Sequence, residues 1–325
     1  MRVLVSAPYM APIFSRFQPL FDALSVEVVL AEVKERLSEE QLLKHVGDLD
    51  GVICGDDQYT ARVLDAASPR LKVISKWGTG IDSIDQEAAV SLGVQVCNTP
   101  GAFTQPVSDS VMQYILMFAR RGMWLDREMK SGNWEKLPGR ALDECTLGVV
   151  GVGRIGKAVL QRAKPFGMRM LGTDIVEIDP ALIGSVGVSM LPLHDLLAQS
   201  DYISINCDLN PSSHHLINAT SLGWCKRGAI LINTARGPVV DEPALVQALQ
   251  DGLLAGAALD VYEEEPLPAG SLLRRMDNVL LAPHNANSSP KAWERVHANT
   301  IRNLLRGLGL EPALNDWSKV FNEPF

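Results

Sequence analysis

The stretch Leu147 to Gly156, LGVVGVGRIG, constrains the fold of this chain more than any other. An apolar strand runs straight into Gly151, Gly153 and Gly156, and a helical pattern follows through Lys157, Ala158, Val159 and Leu160. This is the fingerprint of a dinucleotide-binding βαβ unit. The first glycine makes the tight turn, the second lets backbone approach a pyrophosphate, and the third packs helix on strand. Arg154 and Ile155 fall at the start of the helix, whose positive end receives the diphosphate. A second strand pattern, Arg169 to Thr173, ends at Asp174, eighteen residues past Gly156, where a carboxylate accepts hydrogen bonds from the adenosine ribose. That acid repels a 2′-phosphate and is followed by Ile175 rather than an arginine, so the pattern selects NAD over NADP.

The 325 residues, 46% of them hydrophobic, suffice for two domains. A net charge of −8 and a pI near 5.3 give no basic footprint, which argues against nucleic acid as a partner. The apolar run at Val3 to Val5 is too short for a signal peptide core. Val111 to Ala119, the most apolar helical stretch, is broken by Gln113 and followed by Arg120 and Arg121, so no segment is expected to span a membrane. The five cysteines are odd in number and widely spaced with no C-x-x-C pair, the usage of a reducing, cytoplasmic compartment.

The first hundred residues alternate apolar runs with helical patterns. Val3 to Val5, Val26 to Leu30, Gly51 to Cys54, Val73-Ile74 and Val94 to Val96 read as strands. Ser38 to Gln41 is a capping box opening a helix through Val46, Thr60 caps Ala61 to Ala67, and Ile84 to Leu92 is closed by Gly93. After Asn98 to Gly101 a long amphipathic helix, Val107 to Lys130, offers an apolar face to a core or to a second copy. The second half reads as a six-strand sheet: Leu147 to Val150, Arg169 to Thr173, Tyr202 to Asn206, Ala229 to Asn233, Gly256 to Val261 and Val279 to Ala282. A last helix lies around Lys291 to Leu305. The expected class is α/β, with two doubly wound parallel sheets, one in residues 1–100 and a Rossmann cofactor domain at 101–290.

Ligands of such sheets sit at the carboxyl ends of the strands, so polar residues just past each strand are the candidates. Ser75 to Asp82 sets Gly78 and Gly80 around Thr79, where backbone N–H groups form an anion nest, with Lys76 beside it. Asn233 to Gly237 places Arg236 at a strand mouth, suited to bidentate grip on a carboxylate. Asp260 to Pro266 places acids past the next strand, and Pro283-His284 ends the last. His284 alone of six histidines is so placed. His45 and His297 fall in helical patterns, His194 beside Asp195 suits a surface, and His214-His215, adjacent in sequence, would not face one another on a helix. No spacing supports a metal.

These motifs together, Lys76 to Asp82, Gly151 to Gly156, Asn233 to Gly237, Asp260 to Pro266 and Pro283-His284, resemble the NAD-dependent D-2-hydroxyacid dehydrogenase family, in its order and across essentially the whole chain. The resemblance implies two domains with a cleft between them, a flavodoxin-like substrate domain at 1–100 completed by the final helix at 291–325, NAD as cofactor, a small 2-hydroxy or 2-oxo acid as substrate, and a homodimer. It implies that Arg236 holds the substrate, that Glu265 pairs with the catalytic histidine, and that His284 is that histidine. An imidazolium supplies the proton for the developing alkoxide, and a neighbouring carboxylate favours the charged form. Lys76, Thr79 and Gly80 match the family's anion-binding loop, and Cys207, Thr234 and Asp260 match positions that line the cofactor.

The chain departs from the family pattern in places. Asn285 to Ser289 replaces a glycine-rich run, Phe103 stands where phosphoglycerate-type members carry a polar residue, and Cys54 to Asp57 is acidic where those enzymes place an arginine. With no regulatory domain expected, 3-phosphoglycerate is disfavoured, and Asp56 or Asp57 would oppose a second anionic group on the substrate. Two alternatives stand beside a dehydrogenase of a small D-2-hydroxy acid: phosphoglycerate dehydrogenase proper, and an NAD(H)-sensing scaffold resembling the family's corepressors. Formate dehydrogenases carry glutamine at the Glu265 position, which argues against formate.

Overall fold

The computed structural model describes residues 1–321, so positions 322–325 of the expected 291–325 segment lie outside the described residues. Two compact units result, one formed by Met1–Phe103 with the segment from Ser289 onward, the other by Thr104–Ser288.

The first unit holds a parallel sheet of β1 (Arg2–Val5), β2 (Glu27–Leu30), β3 (Gly51–Cys54), β4 (Val73–Lys76) and β5 (Gln95–Cys97), in the order β2-β1-β3-β4-β5. All residues of β3 and β4 are buried, as expected of central strands covered on both faces. The helix Pro290–Gly307 packs on β3, β4 and β5, burying Val296, Ile301, Leu304 and Leu305. Ser38 forms the expected capping box, but the helix it opens ends at Leu42 and the chain tightens into a 3-10 turn at Val46–Asp48, where Gly47 weakens helix propensity. The next expected helix begins at Gln86 rather than Ile84, because Asp85 caps it while Ile84 bridges to Tyr59.

Within this unit an aromatic cluster surrounds Trp77, with Tyr9, Phe103, Trp293 and His297 all within 6.1 Å between ring centroids. Trp77 Nε1 donates to His297 Nδ1 at 3.0 Å, and burial pushes the His297 imidazole down from 6.5 to about 4. His297 is therefore neutral in the fold at neutral pH. Because its folded value lies below its unfolded one, the contribution is intact above pH 6.5 and is lost as pH falls from there to about 4. The loss should be on the order of 3 kcal/mol. His297→Gln keeps an acceptor for the indole and removes the titration, so its urea midpoint should vary less between pH 7 and 4.5 than that of the parent. An equal acid sensitivity in the two proteins would refute the assignment.

The second unit holds β6 (Thr146–Val150), β7 (Arg169–Thr173), β8 (Val188–Met190), β9 (Tyr202–Ile205), β10 (Ala229–Asn233), β11 (Leu254–Leu259) and β12 (Val279–Leu281). All are parallel, in the order β12-β11-β10-β9-β6-β7-β8, which reverses direction between β6 and β9, the position of the ligand crevice in Rossmann-type sheets. The sheet thus has seven strands and not the six expected from sequence. The extra strand, β8, is a three-residue edge strand with one buried residue, too short to show a period.

The expected Val107–Lys130 helix is two helices, Thr104–Arg120 and Gly122–Lys130. Arg121 between them takes a left-handed backbone, φ 55°, and Gly122 follows, so the axis breaks there. The first helix buries Val111, Tyr114, Ile115 and Phe118, whereas the second buries no residue fully. No helix among the described residues is long and apolar enough to cross a membrane.

Candidate active site

β6 is buried throughout and delivers the chain into Gly151 at φ 88°, a conformation that L side chains resist. A Cβ on Gly151 would lie 2.6 Å from Cys207 N, so Cys207, past the end of β9, adjoins the turn through its backbone. A Cβ on Gly156 would lie 2.1 Å from the Gly151 carbonyl oxygen, which shows how closely helix and turn pack. Gly153 caps the Arg154–Ala163 helix without a side-chain cap, and a Cβ there would meet open space. That opening at a positive helix end is the cradle a diphosphate requires. Asp174 accepts from Val152 N at 2.7 Å and Val176 N at 3.1 Å, which fixes its carboxylate beside the turn.

At the carboxyl ends of β9 and β10, Asn206 Oδ1 and Thr234 Oγ1 are buried without a protein partner. Two orphaned polar atoms at the carboxyl ends of strands, where ligands of such sheets sit, fit the polar edge of a dinucleotide. The residues present therefore fit NAD. The Cys207 thiol adjoining the turn is pushed up to about 11, chiefly by burial, and Cys225 likewise to about 12, so neither is a nucleophile at neutral pH.

Past β10, Asn233 Oδ1 accepts from Ala235 N at 3.0 Å and Asn233 Nδ2 donates to the Arg236 carbonyl at 2.9 Å. This brace shapes the loop that carries Arg236, whose Nη1 donates to the Ala235 carbonyl at 2.9 Å. Past β11, Glu265 Oε1 accepts from Tyr262 N at 3.0 Å, and Tyr262 Oη donates to the carbonyls of Leu259 and Ala282. Asn233 and Tyr262 lie within the stretches Asn233 to Gly237 and Asp260 to Pro266, but their bracing roles show only in the structure.

His284 Nδ1 lies 2.9 Å from Glu265 Oε2, with both side chains about a fifth exposed. A carboxylate only accepts, so Nδ1 carries the proton in this contact. His284 takes a left-handed backbone, φ 50°. Its N–H donates to the Asp260 carbonyl at 2.8 Å, while the Asp260 carboxylate accepts from Asn285 N at 2.8 Å and Ala286 N at 2.9 Å. Asp260 is 1% exposed, and burial pushes its carboxyl up against those two donors. In this fold Asp260 clamps the histidine loop from below, and such clamps are what hold an unfavourable backbone in place.

In the first unit, Lys76 closes β4 as a buried ammonium and meets Asp56 Oδ1 at 3.0 Å, their side chains 4% and 31% exposed. Thr79 Oγ1 donates to the Thr99 carbonyl at 3.2 Å, and Thr99 Oγ1 to the Gly78 carbonyl at 2.8 Å, bracing the glycine loop. Asp57 is fully buried, hydrogen-bonded by Ser6 Oγ and by Leu37 N at 2.6 Å. Of the two acids, Asp57 is buried in the fold and Asp56 is half-buried against Lys76.

His194 is exposed and pairs with Asp195 at 3.0 Å, as its sequence suggested. His214 and His215 do face one another, against expectation: they lie in a turn rather than a helix, with ring centroids 4.1 Å apart. A left-handed backbone at His215, φ 49°, folds its ring back on its neighbour.

Residues 112–286 match the family described as D-isomer specific 2-hydroxyacid dehydrogenase, NAD binding domain. The chain is 41% identical over 298 residues to a glyoxylate reductase of Thermofilum pendens, a match covering 89% of this chain and 88% of that one. It is 39% identical over 265 residues to D-3-phosphoglycerate dehydrogenase of Homo sapiens, covering 81% of this chain and 49% of that protein. Among solved structures, the D-lactate dehydrogenase of Aquifex aeolicus, complexed with NAD and lactic acid, superposes with a TM-score of 0.84 at 27% identity, covering 98% of this chain and 97% of that one. The Gly-rich turn, the orphaned polar atoms at the strand ends and these likenesses agree: the protein belongs to the D-isomer specific 2-hydroxyacid dehydrogenase family, as an NAD-dependent oxidoreductase that interconverts 2-hydroxy acids and 2-oxo acids.

Proposed function

We propose that the substrate is a small D-2-hydroxy acid or its 2-oxo acid without a second anionic group, and that Arg236, Glu265 and His284 carry the reaction. The observation that supports this reading most is the 2.9 Å contact between His284 Nδ1 and Glu265 Oε2. When bound, NAD supplies the hydride for reduction as NADH, or receives it in oxidation as NAD⁺. In reduction the His284 imidazolium gives its Nε2 proton to the carbonyl oxygen as that oxygen becomes an alkoxide. In oxidation the neutral ring takes the hydroxyl proton. Glu265 stabilises the imidazolium, and Arg236 grips the substrate carboxylate with its planar fork. Gly151, Gly153, Arg154, Ile155, Gly156, Asp174, Cys207, Thr234 and Asp260 are assigned to the cofactor, and Lys76, Thr79 and Gly80 to the substrate anion.

Asp56 offsets the Lys76 charge, which supports a substrate with one carboxylate rather than a carboxylate and a phosphate. NADH oxidation against glyoxylate, branched, aromatic and phosphorylated 2-oxo acids, with NADPH as control, tests both parts. Turnover of a non-phosphorylated acid is expected, with Asp56→Asn raising turnover of the phosphorylated ones. Efficient use of 3-phosphohydroxypyruvate by the unaltered protein would overturn the charge preference and favour the phosphoglycerate reading, which the human relative keeps open.

We further propose a homodimer in the cytoplasm. An apolar concavity of about 830 Å³, lined by Met112, Leu116, Met117, Pro165 and Phe166, opens on the second unit, and Trp134 is 85% exposed. Such a surface asks to be covered. A solution mass twice that of the chain is expected, and a monomer at micromolar concentration would refute the dimer.

A further inference from the structure

The turn after β9 carries a second histidine–carboxylate pair. His215 Nε2–H donates to Glu263 Oε1 at 2.6 Å. Both partners are tied into neighbouring segments. His215 N donates to the Pro238 carbonyl at 2.8 Å, and the His215 carbonyl accepts from Asn218 Nδ2 at 2.9 Å. Glu263 and Glu242 exchange backbone-to-carboxylate bonds, each 3.4 Å. Gly237, next to Arg236, has no room for a Cβ, which would lie 1.9 Å from the Tyr262 carbonyl, so the segment after Arg236 rests directly on the backbone of 262 and 263. Three segments are thereby knitted together, and two of them carry Arg236 and Glu265.

We propose that His215 and Glu263 are positioning residues for the reaction, their bond fixing the 260–265 loop so that Glu265 meets His284. Glu263 precedes Glu265 by two residues, and the intervening anchor is explicit: Tyr262 N donates to Glu265 Oε1 at 3.0 Å. A shift of the 262–263 backbone therefore moves the carboxylate that holds the imidazole. The ionisable groups around the pair are His214, stacked on His215, and Glu242 and Glu264, which repel one another and Glu263. The proposal rests on the reading of Arg236, Glu265 and His284 as the reaction groups.

Glu263→Ala removes the acceptor, and His215→Asn suits the left-handed backbone while removing the reach. Either should lower kcat in 2-oxo acid reduction about tenfold, since misplacement of well under 1 Å is involved. The alkaline limb of the pH profile should move down, with KM for NADH little changed. Glu263→Gln keeps an acceptor for both N–H donors and should restore most of kcat. A melting temperature lowered with kcat and pH profile unchanged would mean a purely structural pair and overturns the proposal, as does failure of Glu263→Gln to outperform Glu263→Ala. His284→Asn, run in parallel, separates the two levels. If it leaves turnover intact, the reading of the reaction groups fails; if it abolishes turnover while the Glu263 and His215 variants match the parent, only the positioning role fails.

Discussion

Replacing His284 with asparagine should lower turnover by roughly two to four orders of magnitude while leaving NADH bound. The substitution is chosen for its backbone. His284 sits at φ 50°, and asparagine is among the few residues that adopt this region readily. The N–H bond to the Asp260 carbonyl and the clamp of its carboxylate on Asn285 and Ala286 involve backbone donors only, so they survive the change. What is lost is the imidazole, and with it the proton donor of the proposed mechanism. Single-turnover NADH oxidation measures the chemical step, and quenching of protein fluorescence measures binding. A variant that retained even a third of the parent rate would remove His284 from the proton path.

Gly156→Ala should be among the most damaging small substitutions in the second unit. Its Cβ would lie 2.1 Å from the Gly151 carbonyl oxygen, and the obstacle is backbone, not a side chain that can turn aside. The Arg154–Ala163 helix must lift from the turn, exposing part of the surface that Val159 and Leu160 bury. Overpacking usually costs about 1–3 kcal/mol, and a backbone obstacle places this case at about 3 or more. For a unit of this size that corresponds to a fall in melting temperature of about 6–12 °C. NADH affinity should fall at least tenfold, because the N–H groups at the helix start no longer converge. Gly153→Ala is the informative contrast. A Cβ there meets open space, so stability should barely change while NADH binding weakens through contact with the diphosphate. Equal stability of the parent and Gly156→Ala would show that the turn is not packed as described.

Much of this architecture was legible because central strands of parallel sheets are continuous apolar runs, and β1, β3, β6 and β10 are of that kind. The reading failed where local pattern and tertiary setting part company. Periodicity carried the long helix through to Lys130, but a single left-handed residue, Arg121, ends it, and apolar spacing does not register one backbone dihedral. β8 was missed because an edge strand buries too little to impose alternation. In the site, Glu265 and His284 are nineteen residues apart, and only a motif joins them in sequence; the 2.9 Å contact follows from the adjacency of β11 and β12. Sequence left Asp56 and Asp57 equivalent. Their fates diverge because Asp57 turns inward to Ser6 and Leu37 N, and such long-range donors leave no local trace. The His214–His215 stack was excluded on helical geometry that does not apply to a turn.

The first unit is split by the whole of Thr104–Ser288, and its central strands are covered on one side by Pro290–Gly307. That division sets an order of events on the ribosome. β3 and β4 emerge early, yet the helix that shields them is made only after the entire second unit, which at about 5–20 residues per second is a delay on the order of ten seconds or more. During that interval the second unit has all of its own chain and can close, while the first holds an apolar sheet face without its cover. Nascent chains stalled before residue 289 should accordingly bind a holdase chaperone through the first hundred residues, and release it once the last helix has been added.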